Sequence, residues 1–289
     1  MVYTESVVAI IKKRFSCRSY VEEALQPHER DLLAELLSQS TTGPLGTRTR
    51  FALAAATGED WSTLKGLGTY GFIRGAAGFI IGAVGPGGKN MEDYGYLMER
   101  AVLFATDMGL GTCWLGGTFS KSGFSRKISP EPDELIPAVV AVGHMANRRR
   151  WFDSFIRRRA GSDNRLPWAA VFFDEDFQTP LSQEEAGAYA TPLEMVRLGP
   201  SASNKQPWRI IKKGRVWHFY VQRSKGYGYR NMALMRLADL QRLDLGIAMC
   251  HFELSVLETG MSGVWSVLEP GIEKPDNLTE YVVSWNAQI

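Results

Sequence analysis

The chain of 289 residues is longer than an average single domain and is long enough for two. Hydrophobic residues make up 45% and charged residues 22%, which is ordinary for a folded globular protein and excludes a disordered or fibrous chain. The formal net charge of +2 excludes a strong overall field of the kind that attracts nucleic acid or a membrane surface, so any anion site must be local.

The cysteines and the apolar runs restrict the class of protein further. Cys17, Cys113 and Cys250 are widely spaced, with no CxxC pair and no histidine at metal-ligand spacing, so we expect neither a disulfide framework nor a metal site. The sequence does not open on a basic segment followed by an apolar stretch, and no run of about 18 apolar residues occurs. These patterns predict a soluble, cytoplasmic protein without a membrane partner.

Hydrophobic periodicity predicts the secondary structure of the first part of the chain. Apolar residues at helical spacing indicate helices over 6–14, 27–38 and 94–108. Strands are predicted over 51–56, 77–84 and 137–143, and the second of these barely alternates, which is typical of a strand buried on both faces.

Residues 147–166 differ in character from the chain on either side. They contain arginine runs at 148–150 and 157–159 and few apolar residues after Ile156, so we interpret them as a connector. The arginines are interleaved with Trp151, Phe152 and Phe155, which could indicate nucleic-acid binding. The nearly balanced net charge argues against that interpretation, and we predict no nucleic-acid partner.

Beyond the connector a similar order of elements returns, with a helix around 192–196, strands over 209–211 and 216–221 and a helix over 231–244. The clearest correspondence pairs residues 110–114 with residues 245–249. A second correspondence pairs the strand that starts at Phe51 with the one that starts at Arg209. We therefore predict two halves, 1–146 and 167–289, joined by the connector 147–166.

Two polar segments far apart in the chain carry the chemistry. Arg14, Ser16 and Arg18 alternate in a predicted turn after a helix, where two guanidinium groups and a hydroxyl could bind one phosphate dianion. By itself, so short a pattern more often marks a solvated surface. Residues 199–208 read Gly-Pro-Ser-Ala-Ser-Asn-Lys-Gln-Pro-Trp, a string that is much harder to obtain by chance.

Together the two segments resemble the Arg-x-Ser-x-Arg and Pro-Ser-Ser-x-Asn-x-Gln-Pro-Trp motifs of the FMN-dependent nitroreductase family. In that family both motifs lie in one short chain, and each flavin takes them from opposite subunits of a dimer. The nearest subgroup is the single-chain, duplicated one. The resemblance implies an α+β fold with mainly antiparallel central sheets flanked by helices, and two tandem half-domains that form a pseudo-dimer.

The resemblance also implies which residues bind FMN, and it does so through three further matches. Residues 111–117 resemble the family's glycine-containing stretch near flavin N5, Arg74 stands where a basic side chain lies beside N1 and O2, and Arg165 stands where the family adds a phosphate ligand. Ala202 departs from the family's second serine and lacks its hydroxyl. The implied cofactor-binding residues are Arg14, Ser16, Arg18, Arg74, Leu115, Gly116, Gly117, Arg165, Pro200, Ser201, Ala202 and Asn204.

The implied reaction is hydride transfer from NADH or NADPH through flavin N5 to a planar acceptor such as a nitroaromatic or a quinone. Both substrates would use one pocket in a ping-pong mechanism, with no obligatory side-chain acid or base. Only the first half has the phosphate segment and only the second has the 199–208 loop, so we expect one FMN per monomeric chain. The alternatives are a flavin-binding sensor or storage protein without turnover, and a nucleic-acid-binding protein that uses the arginine-rich connector.

Overall fold

The elements of the first half follow the predicted order. The computed structural model describes residues 3–39, 42–146, 164–225 and 238–288. The first half contains, in chain order, α1 (Val7–Lys13), α2 (Pro27–Gln39), β1 (Thr49–Ala55), β2 (Gly78–Val84), α3 (Asn90–Asp107), β3 (Gly111–Leu115), α4 (Lys121–Ile128) and β4 (Val139–Gly143).

The second half is built from shorter helices followed by one long one. It contains β5 (Phe172–Asp174), α5 (Gln183–Ala186), α6 (Ala190–Leu198), β6 (Trp208–Lys213), β7 (Val216–Gln222), α7 (Leu240–Glu258), β8 (Ser262–Ser266) and β9 (Thr279–Gln288).

Each half has one sheet, and the two sheets share a topology. The first has the order β1-β2-β4-β3 and the second the order β5-β6-β7-β9-β8. Every neighbouring pair is antiparallel except β5 and β6, which are parallel. Without β5, the second sheet repeats the first strand for strand. The prediction of an α+β fold with mainly antiparallel sheets in two halves is confirmed.

The predicted strand buried on both faces is β2. All seven of its residues are buried, because it lies between β1 and β4 with helices on one face of the sheet and the 16–20 segment and α4 on the other. The predicted equivalence of the strands that start near Phe51 and Arg209 agrees with the equivalent places of β1 and β6 in their sheets.

Helices α3 and α7 pack against each other at two glycines. A side chain on Gly95 would collide with the carbonyl oxygen of Leu243, and one on Gly246 would collide with the carbonyl oxygen of Glu92. Gly95 and Gly246 lie 151 positions apart along the chain, and so do Glu92 and Leu243. Strands β3 and β8 start with the same separation. One pseudo-twofold relation therefore maps this part of the first half onto the second.

The predicted correspondence between residues 110–114 and 245–249 is wrong. Residues 111–115 form β3, whereas 245–249 lie inside α7, which continues to Glu258 instead of ending at Asp244. Gly246 suggested a helix end, because glycine is common there. It is needed instead in the helix interior, where the backbone of α3 leaves no room for a side chain.

Helix α1 belongs to the first half in sequence, and in space it packs both on α3 of that half and on the second half. Val7, Ile10 and Ile11 share a core with Leu193 of α6 and with residues of α7. The carboxylate of Glu258, at the end of α7, accepts hydrogen bonds from the backbone amides of Val7 at 2.5 Å and Val8 at 3.2 Å. An anion at these positions satisfies amides that the first turn of a helix leaves unpaired.

The predicted connector lies largely outside the described residues. The arginine runs at 148–150 and 157–159 and the aromatic residues between them belong to 147–163, so the boundaries 1–146, 147–166 and 167–289 stay predictions. None of the helices in the described ranges combines the length and the hydrophobicity that crossing a bilayer requires.

Candidate active site

A cavity of about 290 Å³ is lined by residues of both halves. Its volume is close to the lower end of the range for small-molecule pockets, roughly 300–1,000 Å³. The walls come from the 16–18 segment, the end of β3 and the residues after it, the loop before β6, and the first turns of α7. The predicted cofactor-binding residues that line it are Ser16, Arg18, Leu115, Gly116, Gly117, Pro200, Ser201 and Ala202.

The segment that carries Ser16 and Arg18 is extended and lies along the edge of β3. The amide of Cys17 donates a hydrogen bond to the carbonyl oxygen of Thr112 at 2.8 Å. Successive side chains of an extended segment point to opposite sides, so Ser16 and Arg18 reach the cavity while Cys17 packs into the core. The prediction of a turn at these residues is wrong. The strand β3 is the edge of its sheet, and its unpaired backbone groups pair with the segment and hold it extended.

Arg14 does not line the cavity with Ser16 and Arg18. Its Nε is buried and has no hydrogen-bond partner in the described part of the chain. Burial lowers the pKa of the guanidinium, and the carboxylate of Glu99 opposes that effect. The structure thus places Arg14 near Glu99, and its role as a phosphate ligand stays a prediction.

The end of β3 forms a second wall. A side chain on Gly116 would collide with Leu240 of α7, at 2.6 Å from its Cδ1 atom. A glycine here therefore lets the start of α7 approach the cavity. Trp114, two residues earlier, also lines the cavity, and its Nε1 donates to a carboxylate oxygen of Glu99 at 2.7 Å.

The 199–208 loop is held in shape by its own polar side chains. The hydroxyl oxygen of Ser201 accepts a hydrogen bond from the amide of Gln206 at 2.8 Å, and the Gln206 side chain donates to the carbonyl oxygen of Asn204 at 3.2 Å. Ser203, Asn204 and Gln206 have positive φ angles of 50°, 54° and 48°. Three non-glycine residues in this region within four positions form a strained backbone, a feature that clusters at functional sites.

Two predicted cofactor-binding residues bind each other instead of lining the cavity. Nη1 of Arg165 donates to Oδ1 of Asn204 at 2.9 Å, and Nη2 donates to the carbonyl oxygen of Leu198 at 3.0 Å. Nδ2 of Asn204 donates to the carbonyl oxygen of Asn164 at 2.8 Å. These contacts fix the 199–208 loop to the chain that leads into the second half. Contact of either residue with a cofactor stays a prediction.

Arg74 also lies away from the cavity wall. Its amide donates to the carbonyl oxygen of Arg18 at 3.0 Å, and its carbonyl oxygen accepts from the amide of Tyr20 at 2.9 Å, while its side chain is exposed. The residue that this loop contributes to the cavity is Phe72. Contact of Arg74 with a cofactor stays a prediction.

The cavity has one face that the sequence analysis missed. It is the start of α7. Three apolar residues and one acidic residue there are spaced so that they lie on a single side of the helix. The spacing was visible in the sequence, but the predicted helix ended at 244. The residues that follow, 245–249, were paired with residues 110–114 instead of being assigned to the same helix. The residues of this face are Leu240, Leu243, Asp244 and Ile247.

Asp244 is the acidic residue of this face, and it is only 2% exposed. Its Oδ1 and Oδ2 lie 3.0 Å and 3.1 Å from the amide nitrogen of Ala202. Burial raises the pKa of the carboxyl well above its ordinary value, the hydrogen bond from Ala202 opposes this, and the negative charge of Asp239 adds to it.

The fold and the cavity define a class: a mixed α+β protein with two mainly antiparallel sheets of related topology and a site lined by both halves. A family model described as "Putative TM nitroreductase" matches residues 6–256. The chain belongs to this nitroreductase family. A comparison with curated proteins found no match.

Solved structures of nitroreductases are similar to the chain. A protein described as a putative nitroreductase from Thermotoga maritima is 20% identical, with a TM-score of 0.61 over 99% of this chain and 95% of the other, which shows a shared fold. Nitroreductases with bound FMN from Bacteroides fragilis (18% identical, TM-score 0.38) and Desulfitobacterium hafniense (20%, 0.39) cover 51% and 50% of this chain and 92% of their own.

Proposed function

We propose that this protein is an FMN-dependent oxidoreductase that uses NADH or NADPH to reduce a planar acceptor such as a nitroaromatic or a quinone. One observation carries the proposal. Ser16 and Arg18 line the same cavity as Pro200, Ser201 and Ala202, although the two groups lie nearly two hundred positions apart in the chain. Membership of the nitroreductase family supports it.

The donors on the first-half wall fit a phosphate monoester. Arg18 supplies a guanidinium and Ser16 a hydroxyl, the combination that forms charge-assisted hydrogen bonds to phosphate oxygens. Thr112 pairs with Ser16 across the sheet edge, and its hydroxyl is buried with no hydrogen-bond partner among the described residues. We propose that Arg18 and Ser16 bind the phosphate of FMN.

The remaining walls fit a flat ring. Leu115, Leu243 and Ile247 offer apolar surface, and Gly116 and Gly117 expose backbone where a side chain would narrow the cavity. The loop residues Pro200, Ser201 and Ala202 line the same cavity, and they belong to the loop with the strained backbone described above. When bound, FMN would supply the two-electron carrier. We propose that the protein positions the ring and the substrates and contributes no obligatory acid or base.

The direct test is the colour of the purified protein and its response to NADPH. We expect a flavin absorption spectrum, one FMN per chain, bleaching by NADPH without oxygen, and recovery of colour when a quinone is added. Flavin that stays oxidised in excess NADH and NADPH would contradict turnover and favour a sensor or storage protein. A stoichiometry of two FMN per chain would contradict the single asymmetric site.

Replacing Arg18 with alanine tests the phosphate assignment. We expect Arg18→Ala to weaken FMN binding about 30-fold, since a hydrogen bond to a charged group contributes about 2 kcal/mol. Quenching of flavin fluorescence during titration of the cofactor-free protein measures this. Arg30→Ala, which removes an arginine paired with Asp31 on α2 away from the cavity, is the matched control. Unchanged affinity in Arg18→Ala would disprove the assignment.

A further inference from the structure

The pseudo-twofold relation gives Asp244 a partner in the first half. Asp93 precedes it by the same 151 positions that separate Gly95 from Gly246. Each aspartate lies in the early turns of its long helix, and each accepts hydrogen bonds from the loop that precedes the first long strand of a sheet. The pair therefore allows a comparison of the same side chain in two surroundings.

The two aspartates differ in the number of donors they receive. Oδ1 of Asp93 accepts from the amide of Leu45 at 2.8 Å, and Oδ2 accepts from the amide of Thr47 at 2.7 Å, so each oxygen has a partner of its own. Among the described residues, the donor to Asp244 is a single backbone amide, that of Ala202, which its two oxygens share. The 199–208 loop thus fills less of the hydrogen-bonding capacity of Asp244 than the amides of Leu45 and Thr47 fill of Asp93.

The two aspartates also differ in what lies beside them. Asp244 is on the cavity wall between Leu243 and Ile247, whereas Asp93 is absent from that wall. Among the described residues, the negative charge of Asp239 opposes the ionisation of Asp244, and Arg18 lines the same cavity. A buried carboxyl whose two oxygens share one donor is more stable as the neutral acid than as the carboxylate. The neutral acid accepts a hydrogen bond with one oxygen and donates one from the other.

We propose that Asp244 is a cofactor-binding residue whose neutral carboxyl donates a hydrogen bond through its O–H to an acceptor atom of the bound flavin. Such an acceptor is a ring carbonyl oxygen, a ring nitrogen or an oxygen of the ribityl chain. The other oxygen keeps the 199–208 loop in place through Ala202. This inference rests on the proposed function, and it assigns to α7 a polar contact that the two sequence motifs do not contain.

The test compares two substitutions at Asp244 by titration with FMN and with riboflavin, which lacks the phosphate. Asp244→Ala removes the donor, and we expect about tenfold weaker binding of both flavins. Asp244→Asn keeps one acceptor oxygen and places an amide donor where the acid has its O–H, so affinity should stay within about threefold of the unmodified protein. Arg18→Ala should weaken the binding of FMN but leave that of riboflavin unchanged.

Asp93→Ala is the matched control, because it removes the equivalent carboxyl away from the cavity. We expect it to lower the thermal stability of the cofactor-free protein without changing flavin affinity. Three results would overturn the inference: unchanged affinity in Asp244→Ala, an equal loss in Asp244→Asn, or an equal loss in Asp93→Ala. If the unmodified protein binds neither flavin, the proposed function itself fails, which is a distinguishable outcome.

Discussion

Replacing His251 with leucine is expected to lower the free energy of unfolding by about 4 kcal/mol. His251 of α7 and Glu99 of α3 are both fully buried, and Nε2 of the imidazole lies 2.9 Å from Oε1 of the carboxyl. The other ring nitrogen donates to the carbonyl oxygen of Met195 at 2.9 Å, since that oxygen can only accept. Removing the imidazole leaves Glu99 buried, and the indole of Trp114 is then its remaining hydrogen-bond donor among the described residues.

Urea denaturation measures this prediction, and two variants sharpen it. His28→Leu makes the same change on the exposed face of α2 and should alter stability by no more than about 0.5 kcal/mol. The double variant Glu99→Leu/His251→Leu removes both polar groups and should recover part of the loss, because a buried pair is costly mainly when one member remains. A single variant as stable as the original would show that the pair contributes nothing.

The second large effect is expected when Gly246 is replaced with alanine. Whether the free energy of unfolding rises or falls shows how closely the two helices pack. In a helix interior, glycine to alanine normally stabilises by about 1 kcal/mol. Here the new Cβ would collide with the carbonyl oxygen of Glu92 and lie 2.7 Å from the amide nitrogen of Tyr96. Because both atoms are backbone of α3, the helices must move apart, and we expect a net loss of about 3 kcal/mol in Gly246→Ala.

The same variant should also lose flavin. Leu243, Asp244 and Ile247 flank Gly246 on α7 and line the cavity, so a displaced helix changes one of its walls. Denaturation and flavin content of the purified protein are the two measurements. Gly85→Ala is the control, because a Cβ there meets no atom within 4 Å. Increased stability in Gly246→Ala would contradict the close packing of α3 and α7.

The parts of the site that the sequence predicted are those fixed by local backbone chemistry. Ser16 and Arg18 alternate in an extended segment, and residues 115–117 and 200–202 belong to short motifs whose order is itself informative. Asn204 and Arg165 carried the same kind of signal, but they bind each other. A motif shows that a polar side chain has a specific partner, and it does not show whether that partner is a ligand or the loop itself.

The parts that were missed depend on contacts between the halves. Gly246 looks like a helix end until α3 is placed against it, and Asp244 looks like a solvated helix residue until the 199–208 loop covers it. The burial of Glu92 and Glu99 in α3 has the same origin, because Arg242 and His251 of α7 pair with them. Periodicity describes one helix at a time and carries no information about the helix that packs against it.

The position of α1 has a consequence for how the chain acquires its structure. Besides α3, Val7, Ile10 and Ile11 pack against α6 and α7, and Glu258 pairs with the amides of the first turn. During synthesis α1 is made long before α6 and α7, so part of its apolar face stays uncovered until most of the chain has emerged. Contacts between residues so distant in sequence slow folding. The packing of α1, one of the first elements to be synthesised, is therefore completed by α7, one of the last.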